Sequence, residues 1–247
     1  MRTLPGNWNF VAIPLLFFAQ ATLAQGDLDQ KLLLASPDAI QADAALTSRM
    51  QALATGAIND HCAACHGADL TGQLGVPNLV DFDWNWGPTG YEMTQAEGVF
   101  KIMQTVLYGV RNQDCDDSIK RYGACPDTRF SQMPAYKDLE MTDQQINDLV
   151  DWVYSKAGMD HDMTAVGRAT KDAGLCTECH AEDSMGYKDF GGPNLTDDVW
   201  LFGSSRDQVF DVIAHGRTGQ CPAWAATLDA VTIKALSVYI YQKYMGY

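Results

Sequence analysis

The sequence predicts an all-α chain built of two similar helical domains in tandem. Three observations carry this. A Cys-x-x-Cys-His pentapeptide occurs twice, as Cys62-Ala-Ala-Cys65-His66 and Cys176-Thr-Glu-Cys179-His180. Each copy is followed by the same short elements in the same order. Each half then closes on a segment whose apolar residues recur at helical spacing: Ile146, Leu149, Val150 and Val153 in the first, Ile233, Leu236 and Ile240 in the second.

Residues 1–24 read as an export signal. Arg2 supplies a weak positive start, Phe10 to Ala19 is a short apolar run, and Thr22-Leu23-Ala24 offers small residues for cleavage before Gln25. The run is too short to span a bilayer comfortably, so membrane contact is expected only if this segment is retained or through a partner complex. Residues 25–44 form a partly helical N-terminal extension. The first domain spans 45–157, a linker 158–162, and the second domain 163–247.

Within each domain a helix leads into the pentapeptide, from Leu46 to Asp60 in one and from Ala165 to Asp172 and onward in the other. Next comes Pro77-Asn78-Leu79-x-Asp81-x-x-Trp84-x-Trp86-Gly87, echoed by Pro193-Asn194-Leu195-x-Asp197-x-x-Trp200-x-Phe202-Gly203. Helices opening at Val99-Phe100 and Val209-Phe210 run to Gly109-Val-Arg111 and Gly216-Arg217. Then come Gln132-Met133-Pro134-Ala135-Tyr136 and Gln220-Cys221-Pro222-Ala223-Trp224. Thr142 with Gln145 forms a capping-box start for the closing helix of the first half. Residues 113–131 are an insertion in the first domain only.

The pentapeptides point to covalent haem. Two thiols of a Cys-x-x-Cys-His add across the haem vinyl groups, and the adjacent histidine is held under the iron. One copy could be a redox dithiol or half a zinc site; two copies with the same sequel indicate two covalently attached haem c groups. Haem c attachment agrees with an exported, periplasmic chain. The remaining cysteines then sort themselves. Cys115 and Cys125 are ten apart in an Asp-rich segment and are expected to form a disulfide, worth roughly 2–3 kcal/mol on the chain-entropy model. Cys221 is left over.

Composition limits the partners. The chain has 247 residues, 47% of them hydrophobic, and a formal net charge of −14. Phosphate binding needs clustered Lys and Arg, so nucleic acid is excluded as a partner. The acidity suits docking to redox proteins with a basic surface, although it also serves solubility alone.

The arrangement resembles class I cytochrome c domains in tandem, and is similar to the periplasmic part of the dihaem subunit of cbb-type haem–copper oxidases. The residues that carry this are Pro-Asn-Leu-x-Asp-x-x-Trp in both halves and Gly-Arg-x-Gly-x-x-Pro-Ala-Trp in the second. The resemblance covers everything after the N-terminal extension. It departs in two places: that family is anchored by membrane helices, and it carries methionine where this chain has Cys221.

The resemblance assigns roles. His66 and His180 are proximal iron ligands. The carbonyls of Pro77 and Pro193 accept from their second ring nitrogens, which orients the imidazoles. Met133 is the distal ligand of the first haem, held by Pro134. Trp84, Trp200 and Arg217 contact haem propionates, with Arg111 as the first-domain counterpart of Arg217. Cys221 replaces methionine in a preserved Gln-x-Pro-Ala frame and is expected to bind the second iron as thiolate, lowering that haem's potential. Four alternatives stand beside it: a free thiol with a five-coordinate iron, an intermolecular disulfide, and ligation by His215 or by Met185.

The function implied is electron transfer between redox partners through two haems of unequal potential, rather than stand-alone enzyme catalysis. The alternatives are an enzyme oxidising a sulfur compound at the cysteine-ligated haem, similar to thiosulfate dehydrogenases, a cytochrome subunit of a larger oxidoreductase complex, and a dihaem peroxidase with one open iron site.

Overall fold

The computed structural model describes residues 25–87, 94–115, 125–187 and 190–246. The proposed export signal, residues 1–24, lies outside the described residues, as does part of the 113–131 insertion. Among the described residues there is no β-strand, only isolated bridges, and no helix is long and apolar enough to cross a membrane. The all-α expectation holds.

The helices are α1 (25–34), α2 (Pro37–Ala42), α3 (Ala44–Ala57), α4 (Ala63–His66), α5 (Gln95–Tyr108), α6 (Asp143–Lys156), α7 (Met163–Ala169), α8 (Thr177–His180), α9 (Arg206–His215) and α10 (Ala230–Tyr244). Their starts are chemically explicit. Thr94 with Glu97, Thr142 with Gln145 and Ser205 with Gln208 form reciprocal capping boxes at α5, α6 and α9, satisfying backbone N–H groups that a helix start leaves without partners. Between α3 and α4 the helix widens into a π turn, Ile58–Cys62, a distortion concentrated at functional positions. The expected helix into the first pentapeptide is therefore present but changes pitch just before the cysteines.

Two cores form, and each draws on both halves of the sequence. In the first, Met50 of α3 and Ile102 of α5 pack with Leu236 and Val238 of α10. In the second, Ile146, Leu149 and Val150 of α6 pack with Ala169 of α7 and Val209 and Ile213 of α9. The halves have exchanged their closing helices, so the boundaries 45–157 and 163–247 describe the sequence repeat and not the packing units.

The connection between α6 and α7 explains the exchange. The α6 helix ends in a left-handed Gly158 (φ 68°), with the Met159 N–H donating to Tyr154 O at 2.9 Å, a terminator that reverses the chain sharply. The N–H of Asp162 then donates to the Asp151 carboxylate, and the Asp162 side chain caps α7. A connection this short between two helices makes them antiparallel neighbours. Helix α6 is thereby committed to the second half, and α10 fills the face left open on α3 and α5. Two forked ion pairs fix the result: Arg168 to Asp148 (2.8 and 2.6 Å) and Arg206 to Asp151 (2.9 and 2.7 Å).

Candidate haem-binding sites

The two pentapeptides adopt the same local geometry. Each follows a helical approach, α3 with its π turn in the first and a 3-10 turn, Asp172–Leu175, in the second, ends in a left-handed residue (Gly67, φ 77°; Ala181, φ 64°), and is closed by a glycine N–H donating to the histidine carbonyl: Gly72 to His66 at 2.8 Å and Gly186 to His180 at 2.9 Å. The following loop is pinned by Leu79 N–H to Leu70 O and Leu195 N–H to Ser184 O, both 2.8 Å. These bonds bring the Pro-Asn-Leu elements under the imidazoles. His66 Nδ1 lies 2.9 Å from Pro77 O, and His180 Nδ1 lies 2.8 Å from Pro193 O. Among the described residues the Nε2 atoms have no hydrogen-bond partner, which suits them to bind iron. Burial pushes the pKa of both histidines down, favouring the neutral imidazole that a metal ligand requires.

The loops that carry Cys221 and Met133 come from the opposite half. Cys221 pairs with Val110 through two backbone hydrogen bonds, 2.9 and 3.0 Å, and Trp224 N–H donates to Val106 O. The Trp224 ring packs at a tilt against His61, next to Cys62, with centroids 4.9 Å apart. Cys221 is close enough to Cys62 and Cys65 for their charges to matter; with burial as the main cause, its thiol pKa is pushed up to about 11. In the other unit Met133 pairs with Arg217 through two backbone bonds, 3.2 and 3.1 Å, and Tyr136 N–H donates to Ile213 O. The Tyr136 hydroxyl reaches 3.5 Å from Cys176 Sγ, and Met133 and Cys176 both pack against the second core.

The expected partners are therefore crossed. Met133 stands with Cys176, Cys179 and His180, and Cys221 stands with Cys62, Cys65 and His66. The reason is the helix exchange: each distal loop immediately precedes the closing helix and travels with it. Among the alternatives for a distal ligand, His215 is 63% exposed and faces Asp211, and Met185 is 57% exposed.

The other site residues hold protein partners. Trp84 donates its indole N–H to Asp81 O at 3.0 Å and packs edge-on to Tyr244. Trp200 packs edge-on to Tyr154. Arg217 bonds Asp211 Oδ2 at 2.5 Å and lies over Phe202. Cys115 and Cys125 are joined, with Cα atoms 5.9 Å apart. Sequence reasoning missed Tyr136 as a neighbour of Cys176; its place in Met-Pro-Ala-Tyr, matching Trp224 in Cys-Pro-Ala-Trp, was the available signal.

The residues fit a haem c at each motif: two thiols and an oriented imidazole, with a soft sulfur atom, of Cys221 or Met133, on a paired loop from the other half. The family model described as cytochrome c oxidase, cbb3-type, subunit III matches residues 51–153 and 162–240. The chain is 34% identical over 221 residues to the cbb3-type cytochrome c oxidase subunit CcoP of Cereibacter sphaeroides, covering 88% of this chain and 69% of that one. It is 35% identical over 220 residues to subunit FixP of a Bradyrhizobium species, with the same coverage, and 32% identical over 231 residues to CcoP of an Azospirillum species, covering 90% and 72%.

Proposed function

This chain belongs to the family of cbb3-type cytochrome c oxidase subunit III and is a dihaem electron-transfer cytochrome with two haem c groups; from that premise we propose that it serves as the cytochrome subunit of a cbb3-type oxidase. In this reading it is exported, faces the periplasm, and relays electrons from an external redox protein towards the oxidase. Each haem supplies one-electron exchange between ferric and ferrous iron. The protein's own groups decide how readily each haem gives up its electron.

The first haem would be held by Cys62, Cys65 and His66, with Cys221 as its second iron ligand. The second would be held by Cys176, Cys179 and His180, with Met133 as its second iron ligand. The hydrogen bonds to Pro77 and Pro193 fix ring orientation and increase ligand basicity. A thioether favours ferrous iron, whereas a thiolate donates strongly and favours ferric iron, so the Met133 site has the higher potential. Axial ligands alone move haem potentials across about 0.8 V, which leaves room for a large gap between the two. With haem bound, Trp84, Trp200 and Arg217 would border the propionates. With a net charge of −14, the chain suits a donor with a basic docking face, and the encounter rate should fall as salt screens the charges.

The observation that carries this reading is the pairing of each pentapeptide with a sulfur-bearing loop from the opposite half, both loops held by two backbone hydrogen bonds. Low-temperature electron paramagnetic resonance of the oxidised holoprotein tests it. A low-spin thiolate signal that disappears in Cys221→Met supports the ligand set. Two six-coordinate haems that exchange electrons with a cytochrome c and with the oxidase support the relay. A high-spin first haem unchanged by the substitution would remove the thiolate, and a chain that never associates with an oxidase would remove the complex.

A further inference from the structure

One side chain touches both distal loops. The Arg111 guanidinium donates from Nε to the carbonyl of Gly219 and from Nη1 to the carbonyl of Ser131. Gly219 lies two residues before Cys221, and Ser131 two residues before Met133. Backbone bonds extend the same junction: Arg111 N–H donates to Arg129 O, and its neighbour Val110 is the residue paired with Cys221. The guanidinium also lies 5.9 Å from the centroid of the Trp86 ring. That indole fills the space a Cβ on Gly191 would need, 2.0 Å away, and Gly191 is two residues before Pro193, the carbonyl that orients His180.

Two features set Arg111 apart from its repeat counterpart. Arg217 is bonded to Asp211, whereas the bonds of Arg111 go to neutral carbonyls and its half-buried cation is disfavoured by desolvation. Its backbone is also left-handed, φ 49°, a conformation that glycine adopts freely and an arginine does not. A strained backbone and a poorly solvated charge are both retained at the point where the two loops meet. Strain of this kind persists where the surroundings over-determine it. A planar fork of donors is the chemistry suited to bridging two carbonyls at once; a lysine ammonium is not.

We propose that Arg111 is a positioning residue that locks the Cys221 loop to the Met133 loop, so that the distal ligands of the two irons are set together. The proposal rests on the reading that Cys221 and Met133 are those ligands. Loosening one loop then loosens the other, and the two haems are mechanically coupled.

The test compares Arg111→Gly and Arg111→Lys with the unmodified full-length holoprotein. Glycine relieves the left-handed backbone, so the thermal midpoint should change little and effects at the haems can be assigned to the lost fork. Amide hydrogen exchange at Met133 and Cys221, whose N–H groups bond Arg217 and Val110 across the halves, should accelerate together by about tenfold or more. The Met–iron absorption band of the second haem should weaken, its potential should fall, and the thiolate resonance of the first haem should split into more than one species. Lysine should restore only one of the two loops. Changes confined to one haem and one loop would mean a local contact, such as a single propionate, and would overturn the proposal; so would unchanged exchange at both amides. The exchange measurement does not depend on which atoms bind iron. Loss of the thiolate signal in the unmodified protein would therefore sink the ligand assignment alone, and the clamp would stand or fall on the amides.

Discussion

Gly216 and Met133 belong to different halves of the sequence, yet a Cβ on Gly216 would stand 2.3 Å from the Met133 carbonyl. Gly109 bears the same relation to Cys221, at 2.4 Å. Both glycines have positive φ, 64° and 71°, so they end a helix and admit the opposing loop in one step. Alanine at either position combines a forbidden backbone with a collision against main chain. We expect each substitution to cost at least about 2 kcal/mol. Gly216→Ala should weaken the Met–iron band and Gly109→Ala the thiolate signal, as read by thermal unfolding and by absorption and resonance spectra of the holoprotein.

The crossed sites predict which haem carries the cysteine. In a variant with Cys62 and Cys65 both changed to Ser, which cannot attach the first haem, the thiolate resonance should vanish although Cys221 is intact. In the matching Cys176 and Cys179 variant it should persist. The reverse outcome would show that each half keeps its own distal ligand.

Cys221→Met should raise the lower of the two midpoint potentials and leave the higher one nearly unchanged, because a thioether replaces a thiolate on one iron only. Potentiometric titration of the two haems measures both. An unchanged lower potential would mean that Cys221 does not bind iron.

The ion pairs that fasten α6 to the second half give a pH dependence with a definite sign. Hydrogen bonds from Arg168 and Arg206 hold the carboxyls of Asp148 and Asp151 below the usual range. A depressed folded pKa contributes stability that is present above the unfolded value, about 3.9, and is lost as pH falls through the folded value. Asp151→Asn should cost roughly 1–2 kcal/mol at neutral pH, reduced from the buried-pair range because its arginine is half exposed. The gap to the unmodified protein should close well below pH 4. Thermal unfolding at neutral and acid pH decides it.

Core packing predicts a long-range effect of a local change. Leu236 of α10 is 1% exposed in the first core, and Ile146 of α6 is 0% exposed in the second. Truncation to alanine should cost about 2–5 kcal/mol in either case. Leu236→Ala should disturb the environment of the first haem and Ile146→Ala that of the second, the opposite of what sequence position suggests.

The chemistry of this chain was legible in its order of residues. Cys-x-x-Cys-His states the attachment of haem because the reaction needs those groups at that spacing. The Pro-Asn-Leu and x-Pro-Ala elements marked the carbonyls under the imidazoles and the sulfur-bearing residues proposed as iron ligands, and the capping boxes and apolar periodicity marked helices to within a few residues. These are local properties, set by neighbours along the chain. Which sulfur faces which motif was not local. It depends on the sharp turn between Lys156 and Met163, too short to let α6 fold back on its own half, and on Asp148 and Asp151 meeting arginines from the other. The repeat implied two self-contained units; chain connectivity and side-chain packing between distant segments exchanged closing helices between them, and brought Arg111 into contact with both the Cys221 and the Met133 loop.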